Sequence, residues 1–594
     1  MLLIKKHAHV LAALAVLFAS IAAPFLIPEN PDSSVFRTGT FSALLLLGCA
    51  SPVCYALRHA NRRTLVAGAC WGLLFALALS LGSELFFYKG LLKGLGSLIR
   101  RFAVPVLMTP LFGCLAARLM LIHPFAQSKR QLHLPLWAYA LIIFLCWVPV
   151  WLAFWPANIR FDFPGEYNQH LAGSYSSLHP LLHSVIQNGI ITLGEMLVDR
   201  TFGLMLLTLV QMVMLSAALA ACCTFLQRLG ASLLPLALAA FFGLHPIFSV
   251  LAVSTTKDTM FAAAVIWLAL MIFKLIEAPE AFLSSKRNWI IFILVTILTA
   301  LVRNNGLFVL IFSLPALIAA AKGYRKKTAL LSALSAAASV AVFMILSIVF
   351  QCESMPSRQM YSLPAQQLVR AYNLSETMTE EDKAEIRSWY LSENGLVLLP
   401  QLADPAKGYM DEDKLDRDGA GAYFVVWAKH LKPHLHEYIE AFLMLNLGSW
   451  YPDDLTHAYI YPEQAWNGQG YLSIADPGTT EQGFTMTCYL PAVRSLIQKI
   501  CSFNRYQRYP LASLSFCPAF PFWLTMFACA LMIVRRQARF LPSALGILSL
   551  WLSYLLGPCT LPRYALPMFC LAPVLLGAAF CLPVLHKPTK ENTK

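Results

Sequence analysis

The sequence predicts an all-α polytopic membrane protein of about 14 transmembrane helices, with a mixed α/β or irregular extracytoplasmic domain inserted before the last three. Three observations predict it. The chain of 594 residues is 58% hydrophobic and only 13% charged, about half the charge of a soluble domain. Its apolar runs repeatedly approach the roughly 20 residues that span hydrocarbon. Its charge is split: residues 351–511 hold 20 Asp/Glu and 13 Lys/Arg, whereas the rest holds 11 acidic and 32 basic residues. That basic surplus lies in short loops, as on the cytoplasmic side of a membrane. Topology accounts for the net charge of +14, and no nucleic-acid partner is implied.

The apolar runs place spans at 8–27, 40–57, 64–82, 103–122, 135–155, 202–226, 233–252, 258–276, 289–302, 306–321, 329–350, 512–534, 540–557 and 565–585. The first is longer than a signal-peptide core and reads as a retained span. Basic loops at Arg58–Arg63, Lys129–Arg130, Arg228, Lys286–Arg287, Lys322–Lys327 and Arg535–Arg539 then share one side with both termini. The expectation is a multi-pass protein of the cell membrane with cytoplasmic ends. Loop 83–102 counts as external yet carries Lys89, Lys93, Arg100 and Arg101, and its leucine and aromatic spacing predicts an interfacial helix. Runs 289–302 and 306–321 form a hairpin, because one helix would bury Arg303-Asn304-Asn305-Gly306 in mid-membrane.

Four regions follow: an N-terminal membrane region (1–134), a membrane core with external loop 156–201 (135–350), an extracytoplasmic domain (351–511) and a C-terminal three-helix region with its tail (512–594). Helices are expected inside the third from Glu380 to Leu391 and from Ala420 to Leu431. Most of the 15 cysteines lie in apolar runs; Cys352, Cys488, Cys501 and Cys517 could supply a disulfide there.

Eight of the eleven acidic residues outside 351–511 fall on the external side, where carboxylates near hydrocarbon usually mark function. Asp162 and Glu166, just past the fifth span, could act as a general base or hold a divalent cation such as Mg, Mn or Ca. Pairing of Asp162 with Arg160 is the plainer alternative. His179 and His183 would share one face of a helix opened by Pro180, as ligands or as packing. Lys257 follows Ser254-Thr255-Thr256 at a helix start, suited to a phosphate, though Lys257 and Asp258 could simply cap that helix. Arg303, with Asn304, and Arg563, with Tyr564, stand at the same boundary, either gripping an anion or snorkelling to headgroups. Trp450, Tyr451, Asp453 and Trp466 could stack on and hydrogen-bond a sugar, or form the core of the inserted domain, and Asn168, beside Glu166, is a further candidate substrate contact.

These motifs together resemble the GT-C superfamily of polytopic glycosyltransferases, which includes the protein O-mannosyltransferases and the aminoarabinose lipid A transferases. The likeness rests on Arg160-Phe-Asp162 through Glu166, His179-Pro180, Lys257-Asp258, Arg303-Asn-Asn-Gly306, an external domain before the last spans, and Arg563-Tyr564-Ala-Leu-Pro567, over roughly 135–585. It departs in its four preceding spans and in Asp-Phe-Pro-Gly-Glu where many members show adjacent acids. The resemblance implies a polyprenyl-phosphate-linked sugar donor and a glycan, lipid or protein acceptor, with Asp162 as base and Lys257, Arg303 and Arg563 on the lipid phosphate. A transporter or lipid flippase would instead place its polar groups at mid-membrane. An O-antigen-ligase-like or polymerase-like enzyme would need no acidic base in this loop.

Overall fold

The computed structural model describes residues 1–26, 39–122, 133–159, 162–231, 233–452, 483–501 and 514–582. A helix stands at each apolar run. The membrane part comprises α1 (Ala8–Leu26), α2 (Gly39–His59), α3 (Arg62–Tyr88), α4 (Leu95–Met120) and α5 (Leu136–Ala153), and then α6 (Phe163–Ala172) and α7 (Leu181–Leu197). It continues through α8 (Arg200–Arg228), α9 (Leu234–Leu244), α10 (Pro246–Val253), α11 (Lys257–Glu277), α12 (Lys286–Leu301), α13 (Gly306–Ala320) and α14 (Arg325–Val349). The insert holds α15 (Ser362–Leu374), α16 (Glu380–Arg387), α17 (Glu412–Leu431) and α18 (Leu435–Leu445), and the chain returns through α19 (Ala519–Val534), α20 (Pro542–Tyr554) and α21 (Leu566–Cys581).

Seven of these helices, α1, α3, α4, α5, α8, α11 and α14, are long and apolar enough to cross a membrane. The α9–α10 pair makes an eighth segment, bent by 54°. The bend falls at His245-Pro246, where proline lacks an N–H and drives the preceding residue out of helical geometry. No strand occurs among the described residues, only isolated bridges. The chain is an all-α, multi-pass membrane protein.

Helix α11 is the axis of the bundle. It packs against α8, α12, α20 and α21, and 83% of its apolar window is buried, against 22% for the peripheral α14. At its N-terminus Asp258 is fully buried. The α3–α4 hairpin is drawn together at small residues: a Cβ on Gly72 would lie 2.4 Å from the backbone nitrogen of Gly113. Such close backbone approach is how helices associate in lipid.

Three expectations are revised or refined. The interfacial helix at 83–102 is absent: α3 runs on to Tyr88 and α4 begins at Leu95. Buried Glu84 takes hydrogen bonds from Arg101 Nε (3.0 Å), Arg101 Nη2 (2.6 Å) and the Leu92 amide (2.6 Å). That carboxylate accounts for an arginine on a side where basic residues were unexpected. The described part of the insert is helical rather than mixed α/β or irregular; it buries Trp389, Tyr423 and Tyr438 between helices. Its helix from Ala420 follows Gly419, whose φ of 82° interrupts α17 and favours glycine. No disulfide forms among the described cysteines; the Cys517 thiol donates to the Tyr451 carbonyl.

α12 and α13 are separate helices joined through a tight turn, as the hairpin requires. A Cβ on Gly306 would lie 1.7 Å from the Thr299 carbonyl oxygen, so only glycine fits. The insert rests on one end of the bundle. The Ala403 amide donates to the Pro558 carbonyl (2.7 Å), Asn446 Nδ2 to the Leu555 carbonyl (3.0 Å), and the Ser177 amide to the Glu353 carbonyl (2.8 Å).

Candidate functional site

The end of the bundle beneath the insert is where α5 finishes and α11 begins. The chain leaving α5 runs beside residues 253–255. The Asn158 amide donates to the Val253 carbonyl (2.8 Å), the Thr255 amide to the Asn158 carbonyl (3.1 Å), and Asn158 Nδ2 to Ser254 Oγ (2.8 Å). These bonds tie the segment that carries Asp162 to the start of α11. Thr256 then caps α11, accepting from the Asp258 amide and donating to Asp258 Oδ2 at 2.8 Å. Asp162 occupies the N-cap of α6, a position aspartate favours, yet its side chain makes no capping bond. It is aimed elsewhere.

Its target is a run of alternating charges. Asp162 Oδ2 lies 2.7 Å from Lys257 Nζ and 3.3 Å from Arg563 Nη1. Arg563 Nη1 is also 3.6 Å from Asp258 Oδ2, and Asp258 Oδ1 is 2.5 Å from Arg303 Nη1. Lys257 Nζ is 3.6 Å from Glu166 Oε1. Three cations and three carboxylates thus form one connected cluster. The guanidinium of Arg303 lies 4.6 Å from the centre of the Tyr564 ring, and that of Arg563 lies 4.9 Å from it, within cation–π range. Tyr554 donates its hydroxyl to the Tyr564 carbonyl, fixing that turn.

Glu166 is the structural anchor. His183 donates from Nδ1 to Glu166 Oε2 (2.9 Å), as does Gln187 Nε2 (3.2 Å), while His179 Nδ1 lies 3.6 Å from Oε1. Burial pushes the Glu166 carboxyl up, but His183, Lys257 and His179 outweigh it and bring it down to about 2. Burial likewise opposes ionisation of Asp162, and Arg563 and Lys257 overcome it, holding the carboxyl well below the usual range. Burial lowers His179, and the Lys257 charge adds to that against the pull of Glu166. Arg563 is held above its ordinary value against burial by Tyr564, Asp162 and Asp258, so its charge is permanent.

One ligand atom each from Asp162, Glu166 and His179 lie within 4.8 Å of one another, the grouping a divalent cation would need. Lys257 Nζ, however, already bridges the two carboxylates. The ammonium supplies the positive charge a metal would bring, and the donor set does not fit a metal alongside it.

Beside the cluster opens an apolar cavity of about 670 Å³ between the start of α7 and helices α12, α13 and α14. Its walls include Leu310, Leu314, Val340 and Phe343, and its polar residues include His179 and Asn304. His179, 3.6 Å from Glu166, and Asn304, next in sequence to Arg303, place this wall of the cavity next to the charged cluster.

Residues 172–592, well over half of the chain, match a family described as a family of unknown function (DUF6020). The chain belongs to the DUF6020 family. No curated protein and no solved structure matches it. The DUF6020 match takes in His179, Lys257, Asp258, Arg303 and Arg563, and begins beyond Asp162 and Glu166.

In this DUF6020 protein, Asp162, Glu166, Lys257, Arg303, Arg563 and Tyr564, far apart in sequence, come together, with His179 and Asn304 at the cavity. Asn168 lies on an exposed face of α6. Trp450 is set apart: its carbonyl accepts from Trp523 Nε1 at 2.8 Å, and its ring packs with the bundle core. Asp453, Arg160 and Trp466 lie outside the described residues. Two participants carry more weight than their motifs suggested. Asp258 bridges both arginines as well as meeting its cap, and α7 turns a buried polar face, His183, Ser184, Gln187 and Asn188, toward α6. The spacing of those four in an otherwise apolar helix was the available signal.

Proposed function

We propose that the chain is a membrane glycosyltransferase that moves a sugar from a polyprenyl-phosphate donor to an acceptor hydroxyl at the extracytoplasmic face. The observation that carries this reading is the apolar cavity lying beside a cluster of three cations, with His179 and Asn304 on its wall next to that cluster, an arrangement suited to a hydrocarbon chain with a phosphate at its end. In this reading all fourteen helical positions are spans, both termini are cytoplasmic, the insert 351–511 is extracytoplasmic, and the fold is of the GT-C kind. The insert, resting on the loops beside Arg563 and Ser177, would bound the acceptor's approach.

The isoprenoid chain lies along α13 and α14, and its phosphate reaches Lys257, Arg563 and Arg303. The acceptor oxygen attacks the sugar's anomeric carbon and the carbon–oxygen bond to phosphate breaks. Its electron pair leaves with the phosphate, where the three cations stabilise the growing charge. The acceptor's proton passes to Asp162. Asp258 and Glu166 hold the cations in place and Tyr564 packs against both guanidinium groups. Phosphate departs as a stable anion, so no general acid is required.

The test is transfer of radiolabel by the purified chain in proteoliposomes, from polyprenyl-phosphate mannose, glucose or aminoarabinose to membrane glycans, lipids and proteins. Asp162→Asn should reduce transfer by about 10²-fold or more, with the folded protein retained. Transfer that survives this substitution removes Asp162 as base and favours a ligase-like or polymerase-like chemistry.

A further inference from the structure

Asp162 poses a chemical problem for the role just given to it. A carboxyl held far down by two cations is a weak base, and those same cations are the ones a phosphate needs. Both difficulties have one geometric origin. A single oxygen, Oδ2, meets Lys257 Nζ at 2.7 Å and Arg563 Nη1 at 3.3 Å. A phosphate oxygen between an ammonium and a guanidinium would make the same two contacts.

We propose that Asp162 is a built-in competitor for this anion site: at rest its Oδ2 holds the place of a phosphate oxygen, and a lipid phosphate, the donor's diester or the monoester left after transfer, binds by displacing it. The proposal rests on the lipid-phosphate reading above and adds to it how the site is kept closed and how its base is released.

Exposure gives the direction of the exchange. The Asp162 side chain is 34% exposed, against 13% for Lys257 and 10% for Arg563. The carboxylate therefore lies on the accessible side, with the cations behind it. Neither cation depends on Asp162 alone. Lys257 keeps Glu166 at 3.6 Å, and Arg563 keeps Asp258 at 3.6 Å. Glu166 is held by His183 and Gln187, so it stays when Asp162 leaves. Displacement moves one partly exposed carboxylate and leaves the rest of the cluster standing.

Charge follows the same logic. The three cations face three carboxylates at rest, so an arriving phosphate meets a neutral cluster rather than an open cationic site. Once phosphate takes Lys257 and Arg563, Asp162 is freed from the charges that hold it ionised, and its basicity rises. The base becomes competent only when the donor is in place. Without donor, a carboxylate caps the cations and excludes weakly bound anions.

The experiment is titration calorimetry on the full-length chain in nanodiscs, with farnesyl phosphate, farnesol and inorganic phosphate as probes. Asp162→Asn should bind farnesyl phosphate about tenfold more tightly than the wild type, the scale of one close charge pair removed. Asp162→Glu, which keeps the competing charge, should stay near the wild-type value, and Lys257→Gln and Arg563→Gln should each weaken binding. Asp162→Asn should also unfold at a lower temperature without ligand and recover with farnesyl phosphate, since the probe replaces the missing anion. Asp162→Ser repeats the measurement should Asp162→Asn fail to fold.

If Asp162→Asn binds no more tightly while Lys257→Gln still weakens binding, the competitor is overturned and the lipid-phosphate reading stands. If farnesol binds as well as farnesyl phosphate, or if no variant binds either lipid, both fall. Inorganic phosphate that binds as well as farnesyl phosphate, and more tightly to Asp162→Asn, supports the exchange but overturns the lipid as its source.

Discussion

At the end of the bundle Lys257 lies between Asp162 and Glu166, with His179 alongside; on the insert Lys429 lies between Asp382 and Glu385, with His430 alongside. The contacts on the insert are as short overall: the Lys–Glu approach is 2.7 Å there against 3.6 Å in the bundle. Lys429 Nζ is 3.0 Å from Asp382 and 2.7 Å from Glu385, and His430 is 3.3 Å from Glu385. Each set contains three potential metal ligands. Their surroundings set them apart. Lys429 is 54% exposed, while Lys257 is 13% exposed and joined to further charges that lead to Arg303. In water such a triangle forms and breaks at little gain. In the bundle each member is fixed by a neighbour that is itself fixed, beside a cavity. The same residue types make a surface ion pair in one place and a candidate site in the other, and surroundings decide which.

The strongest way to break this comparison is to remove the central cation from each set. Lys257→Met should destabilise the protein by about 3–5 kcal/mol, because Glu166 stays buried without its cation. Thermal unfolding in detergent measures it, and a shift no larger than that of Lys429→Met would erase the distinction. Next, Asp258→Asn removes the buried negative charge shared by Arg303 and Arg563, turns one of its two acceptors into a donor, and should cost about 2–3 kcal/mol. Farnesyl phosphate should recover part of that loss by supplying another anion.

Glu166 sharpens the contrast through pH. Its folded carboxyl is depressed, so its contribution is present above about 4.5 and is lost as pH falls toward about 2. Glu166→Gln should be less stable than the wild type at neutral pH and converge on it through that window; curves that stay parallel would contradict the assigned environment. The smallest effect belongs to Lys429→Ala, whose unfolding midpoint should match the wild type in moderate salt.

The helical positions were legible because a run of apolar residues near membrane length has few other uses. The hairpin at Arg303-Asn304-Asn305-Gly306 was legible for a related reason: a polar stretch between two apolar runs costs less at a turn than in mid-membrane. The bend at His245-Pro246 lay in plain view, but a continuous apolar run masked it. The tie between Glu84 and Arg101 was harder to foresee, since it depends on two helix ends meeting. The site divides in the same way. Asp162, Lys257, Arg303 and Arg563 stood out as charges beside apolar runs, yet that Asp162 and Arg563 meet across 401 positions is a property of the bundle. The double engagement of Asp258 also needed the fold, because a helix cap and a bridge between two arginines begin from the same residue type.

The cavity beside α13 and α14 has walls that also form part of the outer face of the bundle: Leu307, Ile311, Val340 and Phe343 line it and remain exposed. With α13 and α14 as spans, as proposed above, entry from that side would be sideways, in the plane of the bilayer. A molecule arriving by this route would be counted by its mole fraction among lipids rather than by its molarity in water. Dilution of the surrounding solution would leave its occupancy unchanged, whereas dilution with inert lipid would empty the cavity.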